Sequence, residues 1–270
     1  MGAGILYGRR LPARLLPAIS RLSEIFPALG DRALSQPPAL QQHTRRIRDV
    51  SHVIAATGFN REAALIRQPG VVTVAGGGDA AGLAIALDAA AVGAIGIISF
   101  GLTGALADGL AIGDWVVGDR IAGGFDLACD PAWRDALVAR LPAARIGGFF
   151  ADGRMIDTVA EKRALGTKHG ALAVDMESHV AARIAAAHGL PFTILRCISD
   201  GVDHLLPHAI TVCMKPDGTM DGAAMLRSLA ARPTQIPDFT RTMAGFAKAF
   251  RALGHGAALV GPRMGFPGAI

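Results

Sequence analysis

From His52 onward, short apolar runs bounded by turn residues alternate with stretches of helical periodicity, and this alternation leaves few folds open. The runs His52–Thr57, Val71–Ala75, Ala94–Phe100, Trp115–Ile121, Arg145–Phe150, Ala171–Val174 and Phe192–Ile198 read as strands. Helical patterns cover Ala80–Ala91, Thr158–Lys168 and Met176–His188, the last closed by Gly189-Leu190-Pro191, a helix stop leading into a strand. Two further helical stretches, near Ala223–Ala231 and Phe239–Leu253, follow Pro207. The expectation is an α/β fold, a single domain with a mixed central β-sheet flanked by helices. Ligands in such sheets gather at the carboxyl ends of the strands.

The 270 residues suffice for one large domain, and 51% apolar against 18% charged residues is a well-buried composition. Aromatics make up only 5%, too few for a base-stacking platform. The formal charge of +5 sits entirely in residues 1–50, where eight arginines face Glu24, Asp31 and Asp49. The remainder is neutral, which argues against nucleic-acid binding by the main domain.

The division expected is therefore a basic extension over 1–50, the α/β domain over 51–253, and a Gly/Pro-containing tail over 254–270 that trails off. Within the extension, Leu11, Leu15, Ile19, Leu22 and Ile25 recur at helical spacing, and Ser35–Thr44 reads as a linker. Such a basic amphipathic helix can make a peripheral membrane contact, or be an inert or poorly ordered extension. Arg and Pro interrupt any signal-peptide core. Ala89–Ala107 runs nineteen residues without a charge, but its four glycines and the flanking Asp88 and Asp108 fit a helix end, a buried strand and a loop, not a membrane span. Cys129, Cys197 and Cys213 are widely spaced and read as reduced thiols of a cytoplasmic protein. No metal site is expected, since Pro207 spoils a shared helical face for His204 and His208.

Two glycine-containing turns follow strands. In Ala75-Gly-Gly-Gly-Asp79 the spacing of Gly76, Gly78 and Ala81 imitates a dinucleotide fingerprint, but the next strand ends Ile98-Ser99-Phe100-Gly101 without the acid that would hold a ribose. A dinucleotide-dependent oxidoreductase is accordingly disfavoured, and a turn that brings backbone amides such as that of Gly77 near a ligand fits better. Ser99–Leu106 reads as a second such loop. There Gly101 and Gly104 permit close approach and Thr103 offers a hydroxyl, suiting a phosphate, a ribose or a plain turn. The sharpest pair is Glu177, at a strand-to-helix junction, and Asp200, at the end of the following strand. Both acids then share one edge of the sheet. An N-glycosidic cleavage needs such a pair, one carboxyl to protonate the departing base and one carboxylate to grip the ribose as positive charge grows on the sugar.

The runs Ala173-Val-Asp-Met-Glu-Ser178 and Pro191-Phe-Thr-Ile-Leu-Arg-Cys-Ile-Ser-Asp200 resemble motifs of the purine nucleoside phosphorylase superfamily. They are most similar to its methylthioadenosine/adenosylhomocysteine nucleosidase branch. Thr57–Glu62, Ser99–Gly104 and Leu110–Val117 resemble further motifs of that superfamily in the same order. The resemblance implies a purine-releasing enzyme, a homo-oligomer without metal or redox cofactor. It implies that Asp200 protonates purine N7, oriented by Ser199, and that Glu177 binds the 2′- and 3′-hydroxyls with Met176 packing on the sugar. Glu62 would handle an attacking water, Arg196 would help hold the substrate, and Met155 and Ile156 would contact the base, Met155 replacing an aromatic. Gly77, Gly101, Thr103 and Gly104 would form the phosphate or sugar loop, with Leu102 standing where the family has a serine.

His179, the segments Leu206-Pro-His-Ala and Lys215-Pro-Asp-Gly, and the two C-terminal helices are similar to the hopanoid-associated phosphorylases. That resemblance implies release of adenine from adenosylhopane in bacterial hopanoid synthesis, with phosphate as co-substrate. The alternative is a nucleosidase that uses water. A non-enzymatic membrane-binding protein leaves the Glu177/Asp200 pair unexplained.

Overall fold

The computed structural model describes residues 51–215 and 218–268. The expected N-terminal helix and linker, and Pro216 and Asp217, lie outside them. Among the described residues eight strands form one mixed sheet: β1 (His52–Thr57), β2 (Val71–Ala75), β3 (Ala94–Ala105), β4 (Trp115–Gly123), β5 (Leu127–Ala128), β6 (Arg145–Ala151), β7 (Ala171–Val174) and β8 (Phe192–Asp200). Helices α1 (Asn60–Leu65), α2 (Ala80–Ala90), α3 (Pro131–Arg140), α4 (Val159–His169), α5 (Ser178–His188), α6 (His208–Thr211), α7 (Gly222–Ala231) and α8 (Ile236–Val260) surround it.

The parallel strand β3 joins two arrangements. Its first half pairs with β1, which in turn pairs with β2. Its other edge runs along β8 from Ile97 to Gly104. The ladder continues from β8 to β4, to β6 and to β7, and returns to β3 where Gly104 and Ala105 meet Val174 and Ala173. Five strands thus close on one another, and β1 and β2 extend the sheet outward.

Alternation along the strands divides the core between two faces. Ile54 and Ala56 pack with Leu83, Leu87, Val180 and Ile184 beneath α2 and α5. Val53 and Ala55 pack with Trp133, Leu137, Ala249 and Leu253 beneath α3 and α8. Helix limits follow from local chemistry. The Asp79 side chain accepts from the amides of Ala81 and Gly82 to start α2. Gly170 and Gly189 end α4 and α5 in the left-handed conformation.

Two sequence expectations are corrected, and the structure adds a helix that the sequence reading did not give. Ser99–Leu106 is largely not a loop, because β3 runs on to Ala105 with β8 and β7 supplying ladder partners past both glycines. Helix α3 had its signal in Asp130-Pro131, an N-cap followed by proline at the first helical position. Residues 254–268 do not trail off. Helix α8 continues through Gly254 and Gly256 to Val260, since the Trp115 ring lies against Gly256 where a Cβ would clash. Beyond it, Met264 is fully buried, its carbonyl accepts from Trp133 Nε1 at 2.8 Å, and Phe266 meets Trp133 edge-on with centroids 4.9 Å apart. Met264→Ala should therefore cost about 2–5 kcal/mol, measured by urea denaturation; a loss within the ~0.5 kcal/mol of a surface substitution would show the segment to be dispensable. Among the described residues, no helix is long and apolar enough to cross a membrane.

Candidate active site

The carboxyl ends of β1, β3, β7 and β8 open into one cavity, and each contributes polar groups to it. Strand β8 is buried along its whole length, yet carries Arg196, Ser199 and Asp200. Buried polar groups persist only when paired, and these are paired densely. Arg196, 1% exposed, donates from Nη1 to the Leu102 carbonyl at 2.9 Å and from Nη2 to Ser99 Oγ at 2.7 Å and Glu177 Oε2 at 3.1 Å. Its Nε lies 3.2 Å from Asp175 Oδ2, an ion-pair contact off the hydrogen-bond line.

Asp175 organises the turn from β7 into α5. Its Oδ1 accepts from the amides of Glu177 and Ser178, and its Oδ2 from Ser178 Oγ. Glu177 is thereby fixed at the helix N-cap with Oε2 on Arg196. Gly58 lies opposite, where a Cβ would sit 3.1 Å from Glu177 Oε1 and 3.4 Å from Glu62 Oε2, so a side chain there would crowd Glu177 and displace it by a few tenths of an ångström.

Glu62 occupies the first turn of α1. Its Oε2 accepts from the amides of Gly58 and Phe59 at 2.8 and 2.9 Å, and its Oε1 from the amide of Leu102 at 2.8 Å. Gly101 packs against this carboxylate with φ +148°, and a Cβ there would fall 2.7 Å from its atoms. A carboxylate offers about four acceptor sites, so one remains for a water or a hydroxyl. Burial pushes the Glu62 pKa up, against the Arg196 charge and the three amides. Burial likewise raises Glu177 to about 7, with Arg196 opposing and Asp175 and Glu62 adding to the rise. Glu177 therefore takes up a proton as pH falls below about 7, and Glu62 keeps its proton to a higher pH than an ordinary glutamate. If Glu177 acts as a carboxylate, kcat/KM should fall as pH drops below about 7, by about tenfold per unit, and the raised Glu62 can only steepen that acid limb. A pH–rate profile flat from pH 5 to 8 would contradict that requirement.

Asp200 closes β8, its Oδ1 2.7 Å from Ser199 Oγ and its Oδ2 2.5 Å from Lys162 Nζ. Ser199 Oγ also lies 3.1 Å from the Thr103 carbonyl, so its hydroxyl has two acceptors within reach. Met155, Ile156, Met176, Thr103 and Gly104 line the same cavity as Glu62, Glu177, Arg196, Ser199 and Asp200.

Two sequence candidates stand elsewhere. Gly101 acts from beneath Glu62, as described. The Gly77 amide donates to the Gly58 carbonyl at 2.9 Å and is spent within the protein, while Gly78 takes φ +78° in the same turn. Thr103 donates its hydroxyl proton to the Val174 carbonyl at 2.6 Å, leaving only acceptor capacity. His204 and His208 face Gly201 and Ser228 respectively, and no cluster of three or more His, Cys, Asp and Glu suited to a metal occurs among the described residues. Sequence reasoning missed Lys162, the capping role of Asp175, and the apolar wall of Phe59, Leu206, Ile210, Met214 and Phe246. Phe246 falls within the stretch Phe239–Leu253 that reads as a helix, but which residues of that helix meet the cavity depends on how α8 crosses β8.

Comparison with known proteins gives a consistent picture. The chain is 37% identical over 87 residues to the 5′-methylthioadenosine/S-adenosylhomocysteine nucleosidase of Treponema pallidum, a match covering 28% of this chain and 32% of that protein. The matched stretch thus spans about a third of the curated relative's length. Among solved structures, the corresponding nucleosidase of S. pneumoniae, determined with a transition-state inhibitor, aligns with TM-score 0.50 and 17% identity over 73% of this chain and 99% of that one. The Helicobacter pylori nucleosidase aligns with TM-score 0.53 and 12% identity over 78% and 97%. These likenesses establish the fold. The model of the phosphorylase superfamily matches residues 39–230, which contain every polar site residue described above, and the chain belongs to that superfamily.

Proposed function

We propose that the protein hydrolyses the N-glycosidic bond of a purine nucleoside, with water as the nucleophile. The observation that carries this reading is the charge balance of the cavity. Glu62, Asp175, Glu177 and Asp200 surround it, while Arg196 and Lys162 are fully engaged by them and by backbone carbonyls. Arg154 is held by Asp152 and Glu161, and Arg61 stacks on Phe250. The Leu102 amide is spent on Glu62 and the Gly77 amide on the Gly58 carbonyl. A phosphate dianion needs convergent donors and positive charge, and this arrangement supports water in place of the phosphate expected from the sequence.

In the proposed reaction the Asp200 carboxyl gives its proton to purine N7. The C1′–N9 bond breaks with its electron pair leaving on the base. The Glu177 carboxylate accepts hydrogen bonds from the ribose hydroxyls while C1′ gains positive charge. Water held by Glu62 attacks C1′ and loses a proton to it, giving free purine and a free sugar. Met176, Met155 and Ile156 supply apolar surface for sugar and base. The wall of Phe59, Leu206, Ile210, Met214 and Phe246 favours an apolar 5′ substituent. A bulky lipid such as hopane is a second reading, favoured by exposed Leu205, Val212, Leu226 and Met243 on the elements flanking that wall. Turnover in phosphate-free ¹⁸O-water tests the nucleophile: one ¹⁸O should appear at C1′ of the sugar, and a strict requirement for phosphate would overturn hydrolysis. Parallel assays with 5′-methylthioadenosine and adenosylhopane distinguish the substituents.

A further inference from the structure

Lys162 breaks two local rules. It is fully buried, the one buried residue of α4, and it stands in that helix's first turn, four residues after the Thr158 cap. A cation there opposes the helix dipole, and lysine is almost never fully buried unless paired. Its ammonium has three donors, and all are used: Asp200 Oδ2 at 2.5 Å, the His204 carbonyl at 2.8 Å and the Gly201 carbonyl at 3.2 Å. Two of those acceptors lie in the segment that follows Asp200. A residue that violates its local preferences yet is completely satisfied directly behind a cavity-lining acid points to a functional constraint.

We propose that Lys162 is a positioning residue for protonation of the leaving base, a role that rests on the hydrolysis reading above. It holds Asp200 by Oδ2, so the carboxyl cannot rotate and Oδ1, beside Ser199, is the oxygen that faces the base. When the Asp200 O–H bond breaks and the N7–H bond forms, the charge left on the carboxylate is met by an ammonium already in place, with no reorganisation. Ser199 complements this action. Its hydroxyl turns to the Thr103 carbonyl when Oδ1 carries the proton, and to Oδ1 when it does not. Lys162 therefore contributes to the step in which the base departs and leaves the ribose grip to Glu177 and Arg196.

This role predicts a dependence on the leaving group that a purely structural lysine would not show. Lys162→Met and, as a second neutral variant able to donate to a carbonyl, Lys162→Gln are compared with wild type on two substrates sharing one sugar. One is 5′-methylthioadenosine, and the other is the 4-nitrophenyl glycoside of 5-methylthioribose, whose leaving group departs as a stable anion without a proton. Adenine release should fall about 10²-fold or more in kcat, with KM little changed, while 4-nitrophenolate release stays within about threefold of wild type. Equal losses on both substrates would make Lys162 structural and overturn the proposal, and so would unimpaired adenine release. A wild-type protein that hydrolyses neither these substrates nor adenosylhopane overturns the hydrolysis reading itself, a result separable from failure at Lys162 alone; one active only on adenosylhopane is tested on the same pair of leaving groups attached to that sugar.

Discussion

Asp200→Asn should reduce adenine release by about 10²–10⁴-fold, the usual contribution of a positioned general acid, while the protein stays folded. The amide preserves shape and can still accept from Lys162 Nζ and lie beside Ser199 Oγ, whose distances to Asp200 are 2.5 and 2.7 Å. It has no carboxyl proton to give to N7. The substitution does leave the Lys162 charge buried without its counterion, which costs stability, so a thermal melt must accompany the assay. A loss confined to kcat in a protein that still unfolds cooperatively identifies a transition-state role. Retention of a tenth or more of the wild-type rate would remove Asp200 from the mechanism.

The strands of this fold were legible as short runs of apolar residues, whether fully buried as in β1 or half-buried as in β2. His52–Thr57, Val71–Ala75 and Ala171–Val174 coincide with β1, β2 and β7, each edged by turn residues. Legibility failed where tertiary contacts override local signals. Gly101 and Gly104 read as loop glycines, but their small size makes room within a strand for the carboxylates of Glu62 and Asp200. Gly254 and Gly256 read as a helix end, whereas Gly256 is the place at which α8 meets Trp115. The acids at strand ends could be located from sequence because topology alone puts Glu177 and Asp200 on one edge. Lys162 could not, since nothing in Val159–His169 distinguishes a lysine turned inward toward β8 from one on a solvated face.

The same limit applies to the choice of nucleophile. Sequence supplies a count of arginines, and only the packed structure reveals which of them are already neutralised. In sequence, Arg196 is a residue that the family resemblance implies helps to hold the substrate. In the fold it is the central counter-charge of Asp175 and Glu177, with a side-chain exposure of 1%. That arrangement also fixes what Glu177 can do, because Arg196 occupies Oε2 and leaves Oε1 toward Gly58 and the cavity.

Glu177→Gln should accordingly act through the sugar. Hydrogen bonds to a charged group are worth about 1.5–3 kcal/mol each, so losing the charge behind two of them should slow a ribonucleoside by about 10²–10⁴-fold. The wild-type protein should reject 2′-deoxynucleosides by ~10⁴ or more, since a site built around a hydroxyl leaves a buried carboxylate oxygen unpaired when that hydroxyl is missing. The two effects are not independent. With Gln at 177 the partner of the 2′-hydroxyl is already weakened, so removing the hydroxyl should cost much less than in wild type. The cycle has four rates: wild type and variant, each with 5′-methylthioadenosine and its 2′-deoxy counterpart. A large coupling places Glu177 on the ribose, and the fold should survive because Asp175 still caps α5 and still pairs with Arg196. Additive losses, with the deoxy substrate penalised equally in both proteins, would mean that Glu177 serves only to neutralise Arg196 and that another group reads the sugar.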